Sequence, residues 1–211
     1  IIDQLHGNWT LAGLIKEIKY RHPYLVELEQ IAQWREIPIL APFAGSQIGS
    51  FMVLAPSQER YIRLLPDLDK TPQSYADKKG FMGAVLGGAK NVLDLVREAW
   101  DIETLDDDPP ATSASNETSV VQMGVFGDKH VLLTADVGPE GLREAARHAR
   151  AMGLFRAPDF VQVPHHGSRR NVTPSVLDEW LGAPLDDPNA RRGVAFCSVG
   201  KDADIYPRKK V

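Results

Sequence analysis

The sequence predicts an α/β protein of the layered α+β kind, and three observations carry that expectation. From Ser119 onward, β-rich runs alternate with amphipathic stretches. Two of the runs meet at Gly127-Asp128, a hairpin signature. The two stretches between later runs each open on a proline, Pro139 and Pro174, at the position where a helix needs no backbone N–H.

Taken in order, the N-terminal part reads as helical. Leu11, Leu14, Ile15 and Ile18 recur at helix spacing behind Thr10, an N-cap residue. Pro23 suits the first turn of a second helix, whose Leu25, Leu28, Ile31 and Ala32 form one apolar face. Residues 37–43 contain Pro38 and Pro42 and read as an edge strand or an extended linker. Residues 48–54 read as a strand, and 57–65 as a short helix capped by Ser57. A polar loop is expected over 67–80, then a helix over 81–100 with Val85, Ala89, Val92, Leu93 and Val96 inward. Residues 101–118 carry Asp106, Asp107 and Asp108 before Pro109-Pro110 and read as a solvated linker. Three adjacent aspartates lack the alternating spacing and turn glycine of a calcium loop.

In the C-terminal half, strands are expected at 119–126, 129–134, 159–163 and 194–199. The helix from Pro139 turns Leu142, Ala145, Ala146 and Ala149 inward. The helix from Pro174, capped by Thr173, does the same with Val176, Leu177, Trp180 and Leu181. The resulting organisation is a helical and short-strand region (1–66), a loop, helix and acidic linker (67–118), and a β/α half (119–211).

Composition narrows the functional classes. Of 211 residues, 43% are hydrophobic and 25% charged, which argues against disorder. The 24 basic and 28 acidic side chains give −4, so no overall basic field draws the chain to nucleic acid or anionic lipid. The longest apolar stretch, near residues 81–89, is too short and glycine-rich to span a bilayer. A single cysteine, Cys197, fits a reducing, cytoplasmic compartment. The chain opens on Ile1, not methionine, so its natural start is expected upstream.

Residues with ligand chemistry stand just past strand ends: Asp136, then His165 and His166, then 198–202. Neighbouring strands bring such loops to one rim, where side chains project from a rigid base. Carboxylate and imidazole together suit Zn²⁺, Mn²⁺ or Fe. Taken alone, Asp136 reads first as a cap for the next helix, and a His-His-Gly-Ser turn as an ordinary loop. Arg169 and Arg170 could grip a phosphate or simply solvate that loop.

Four segments then become recognisable together: 119–121, 131–136 ending Thr-Ala-Asp, 161–168 ending Pro-His-His-Gly-Ser, and 198–201 reading Ser-Val-Gly-Lys. They resemble the C-terminal half of the metallo-β-lactamase fold, in the branch that includes the competence (DNA-uptake) protein metallohydrolase domains. The resemblance covers roughly residues 110–205. It implies an αββα sandwich, incomplete at the N-terminus, and hydrolysis by one or two divalent ions, Zn²⁺ first and Mn²⁺ next. It implies a phosphodiester substrate, nucleic acid or nucleotide. Asp136 corresponds to the metal-bridging aspartate, with Ala135 in place of the usual glycine. His165 corresponds to a metal-ligand histidine and His166 to an auxiliary. Asn116 and Ser119 match polar residues ahead of the first strand of the pair. Ser168, Arg169, Asn116 and Lys201 fall to the substrate side.

Two departures accompany it. The family's His-x-His-x-Asp-His cluster is absent, since His6, His22, His130 and His148 have neither its spacing nor its neighbours. Tyr206-Pro207 stands where a histidine-proline is usual. Two expectations follow: either an upstream segment supplies the first half of the site, or the chain is a catalytically degenerate module that binds a protein partner. A half-sandwich also leaves an apolar sheet face for further residues, a second chain or a partner to cover.

Overall fold

A computed structural model describes residues 10–68, 105–187 and 189–200. The helix expected over 81–100, most of the 67–80 loop, Lys201 and Tyr206 lie outside the described residues. The chain divides into two compact units, one of Ile1–Leu40 with Lys70–Glu103, the other of Ala41–Asp69 with Thr104–Val211.

The first unit contains α1 (Leu11–Arg21) and α2 (Pro23–Trp34). Thr10 Oγ1 accepts the Gly13 amide at 3.1 Å, so the expected cap forms and satisfies one orphan donor of the first turn. Lys19 and Arg21 place positive charge at the C-terminal end of α1, where the helix dipole favours it. Pro23 then starts α2 at the first helical position. Lys19 reaches Glu29 of α2 at 3.3 Å. Leu25, Leu28 and Ile31 do line one side of α2, but all three are exposed and α2 buries none of its residues. Periodicity reports a face and not its cover.

The second unit is a mixed α/β layer. Its elements are β1 (Gln47–Ile48), β2 (Phe51–Ala55), α3 (Gln58–Leu64), α4 (Ala114–Glu117), β3 (Val121–Phe126), β4 (Lys129–Leu133), α5 (Pro139–Ala151), β5 (Phe160–Gln162), α6 (Pro174–Leu181) and β6 (Val194–Phe196). The six strands form one sheet in the order β1-β2-β3-β4-β5-β6. Pairing is antiparallel from β1 to β4 and parallel from β4 to β6. The stretch 48–54 is two strands instead of one, because Gly49 takes a left-handed turn with φ +58°. Residues 37–43 form no strand, in keeping with their two prolines. The end of the stretch expected to be a linker is ordered, with Ser113 capping the helical turn α4. Asp107, read as part of a solvated acidic run, accepts the Ser175 amide at 2.9 Å in the first turn of α6. That bond, with the Ser175 side chain, holds its carboxyl below the usual range.

Register puts Met52, Met123, Leu132, Val161 and Ala195 in one row across the sheet. The first four pack with α5 and α6 in the core, where Leu142, Ala145, Ala146, Ala149, Val176 and Trp180 are buried. The alanines of α5 let its backbone lie close to β2 and β3. Each large apolar side chain fully buried here contributes about 1.5–3 kcal/mol. A bulge between Val53 and Ala55 takes Leu54 out of the ladder. Its carbonyl is recovered by His148 Nδ1 at 2.7 Å, which makes this histidine a core partner and not a ligand. The opposite sheet face carries the ring pairs Phe51–Phe126 and Phe160–Phe196, and it remains largely apolar and exposed, with Val194 at 60%.

A buried ionic knot ties α3, α4 and α5 together. Arg60 Nη2 lies 2.6 Å from Glu117 Oε2, and Arg60 Nε lies 3.5 Å from Glu144 Oε2. Ser57 caps α3 by accepting the Arg60 amide and donates its own hydroxyl to Glu144 Oε1 at 2.6 Å. Helix α5 begins at Gly138, which has no side chain to cap it. Glu117 Oε2 fills that role by accepting the Gly141 amide at 2.8 Å. A Cβ on Gly138 would fall 2.1 Å from Glu117 Oε1, so only glycine admits the carboxylate. Burial raises the Glu117 carboxyl above its ordinary value, although the Gly141 amide and Arg60 pull the other way.

Removing the shared cation strands two buried carboxylates. Arg60→Leu should therefore cost about 3–5 kcal/mol, read as a lower urea midpoint. The sign of the Glu117 shift sets a second expectation. A carboxyl raised in the folded state binds more protons there than in the unfolded chain, so its contribution is full below 4.5 and lost as pH rises through the folded value. Denaturation at a series of pH values should show this loss in the wild type and a smaller one in Glu117→Gln. Equal slopes in the two proteins would count against it.

Candidate functional site

The site lies past the C-terminal ends of β4 and β5, two adjacent parallel strands. Gln162, the last residue of β5, clamps the end of β4. Its Oε1 accepts the amides of Thr134 and Ala135 at 3.1 and 3.2 Å, and its carbonyl accepts the Thr134 hydroxyl at 2.8 Å. The chain then turns through Ala135, a left-handed residue with φ +48°. That conformation explains why a glycine suits this position, since a Cβ there costs roughly 1–2 kcal/mol. Asp136 follows, half-buried, and it does not cap α5, whose N-cap is Gly138.

After β5 the chain makes a tight turn, Pro164–Gly167, in which His165, His166 and Gly167 all have positive φ of 45°, 58° and 79°. Two successive non-glycine residues in this region are strained, and such backbone persists where its surroundings over-determine it. The turn is pinned to the neighbouring loop by the His165 amide, which donates to the Ala135 carbonyl at 3.1 Å. The sequence expectation that Asp136 and His165 share a rim is thus realised through a backbone bond between the two loops.

The His165 ring is held from behind. Its Nδ1 lies 3.1 Å from Asn171 Oδ1 and 3.2 Å from Asn116 Nδ2. Asn171 is fully buried and its Nδ2 faces three acceptors: the carbonyls of Asp136 at 2.9 Å and Val137 at 3.2 Å, and Thr112 Oγ1 at 3.4 Å. Asn116 Nδ2 also donates to Thr112 Oγ1 at 2.8 Å. Thr112, Asn116, Asn171 and His165 therefore form one hydrogen-bonded cluster beneath the rim. Ser113 and α4 supply Asn116; the loop before α6 supplies Asn171.

The other expected residues divide. His166 is exposed and its Nδ1 hydrogen-bonds the Ser198 carbonyl, which ties the turn to the segment after β6. Ser168, expected on the substrate side, is buried; its Oγ accepts the Arg170 amide at 3.3 Å and serves the loop itself. Arg169 is half-buried next to it. His148 stands apart as a core partner, and His130 lies near the N-terminal end of β4, with its Nδ1 4.0 Å from Asp159. Asn171, Thr112 and Gln162 carry no motif signal at the sequence level; a buried asparagine between two strand-end loops emerges only with the fold.

Among the described residues, no three His, Cys, Asp or Glu side chains come together as a metal-binding group. The donors present are the His165 imidazole and the neighbouring Asp136, short of the three or four ligands of a tight Zn²⁺ site. No helix among the described residues is long and apolar enough to cross a membrane. Comparison with family models, curated proteins and solved structures gives no match to the chain.

The left-handed Ala135 offers a direct test of how the rim is built. Ala135→Gly should relieve its Cβ strain and stabilise the protein by about 0.5–1 kcal/mol after the added flexibility of the unfolded glycine. A rise in the denaturation midpoint checks this; a fall would mean the backbone here differs from the structure described.

Proposed function

We propose that this chain carries one side of a metal-dependent hydrolase site of the metallo-β-lactamase type, in the competence-protein-like branch, acting on phosphodiesters of nucleic acid or nucleotides. The observation that supports the reading is the bond between the Asp136 loop and the His165 turn at adjacent parallel strand ends, with the His165 ring braced from below. A carboxylate and an imidazole presented together on rigid backbone suit a divalent cation, Zn²⁺ or Mn²⁺. The chain's own part in the chemistry is to hold these two groups at fixed places. Arg169, four residues after His165 in the chain, is the cation offered to substrate phosphate. The negative net charge is compatible with an anionic substrate, because steering depends on the field at the site more than on the total.

The absence of a three-ligand group among the described residues favours a second reading, a catalytically degenerate relative that uses this rim or its apolar sheet face to engage a protein. Calorimetric titration of the full-length protein with Zn²⁺ separates the two, together with an assay on bis(p-nitrophenyl) phosphate. The hydrolase reading expects at least about one equivalent of bound metal, turnover, and loss of both in His165→Ala and Asp136→Ala. Metal below that level with no turnover under added Zn²⁺ or Mn²⁺ leaves the second reading standing.

A further inference from the structure

The His165 ring has two nitrogens, and only one of them can be the basic one in the neutral state. The groups around Nδ1 favour one of them. Two amide side chains approach it and they make opposite demands: Asn171 Oδ1 at 3.1 Å requires a proton on Nδ1, whereas Asn116 Nδ2 at 3.2 Å is satisfied by a lone pair there.

The orientation of Asn171 settles the conflict. Its Nδ2 faces the carbonyls of Asp136 and Val137, acceptors that cannot donate, so turning the amide over would set oxygen against oxygen twice. Its Oδ1 must therefore point at His165. Asn171 is 0% exposed, so that oxygen has no recourse to water if Nδ1 fails to donate. Asn116 is under no such constraint. It is half-buried, and its Nδ2 already donates to Thr112 Oγ1 at 2.8 Å. The weaker demand yields.

We infer that Asn171 is a positioning residue that holds His165 in the Nδ1–H tautomer, so that Nε2 is the basic nitrogen of the ring. Asn171 does this while spanning the Asp136 and Val137 carbonyls, so one side chain sets both the ring's tautomer and its distance from the Asp136 loop. The use of Nε2 as a metal ligand rests on the hydrolase reading; the tautomer rests only on the hydrogen bonds. A ligand histidine whose other nitrogen donates to an oxygen acceptor is the arrangement that fixes ring orientation and raises ligand basicity.

Long-range proton–nitrogen correlation NMR on the full chain, at a pH where the ring is neutral, tests the inference. A pyrrole-type signal at Nδ1 and a pyridine-type signal at Nε2 of His165 are expected. The reverse assignment in the wild type overturns the inference without any variant. Asn171→Ala should redistribute the tautomers, while Asn116→Ala should retain Nδ1–H. A tautomer that moves in Asn116→Ala and stays in Asn171→Ala would assign the role to the wrong residue. Zn²⁺ titration adds an independent arm, with affinity expected to fall roughly 10–100-fold in Asn171→Ala. If the tautomer shifts as stated and Zn²⁺ affinity does not, the assignment of Asn171 stands and His165 as a metal ligand falls.

Discussion

The second unit depends on a carboxylate placed where helix α5 begins. Glu117 accepts the Gly141 amide there and meets Arg60, which in turn faces Glu144 one turn further along α5. Taking three charges out of water is costly, and two acids against one base leave the group short of balance. The return is geometric. Helices from three separated stretches of sequence are brought to one point, and the residue before Glu117 is Asn116, which reaches the His165 ring. The helical turn α4 therefore serves two masters: one residue anchors the layer, and its neighbour braces the rim.

That coupling gives the site a rigidity that its loops alone would lack. The Ala135–Asp136 turn is clamped by Gln162 below and tied by its carbonyl to the His165 amide. The Pro164–Gly167 turn is tied in addition through His166 to Ser198. Each of these two turns is thus bonded to a neighbouring segment as well as to its own strand. The strained conformations at Ala135 and His165 persist in this setting because more than one contact holds each of them.

The sequence was legible where the determining physics is local. Thr10, Ser57 and Thr173 each cap the helix that follows them, and Gly127-Asp128 closes a hairpin, because a cap or a turn is decided within four residues. Placing Asp136 and His165 past strand ends needed only the alternation of strand and helix. What escaped was long-range or marginal. Glu117 as a cap for α5, Gln162 as a clamp and Asn171 as a brace involve partners 24, 28 and 6 to 59 residues away. The break at Gly49 turned on a single left-handed glycine inside an otherwise convincing β run. Ser168, put on the substrate side by the resemblance, is buried, and its burial depends on packing that the local sequence does not spell out.

The change from antiparallel to parallel pairing at β4 has a kinetic side. The β3–β4 hairpin closes across two residues, whereas β4 finds β5, and β5 finds β6, only after a helical crossover has been laid down. Loop-closure entropy ranks short connections ahead of long ones. The β3–β4 hairpin can therefore close while β5 and β6, and β2 across the longest connection in the sheet, are still searching. The rim lies past β4 and β5, so its strained turns set after that hairpin, on a strand pair already formed.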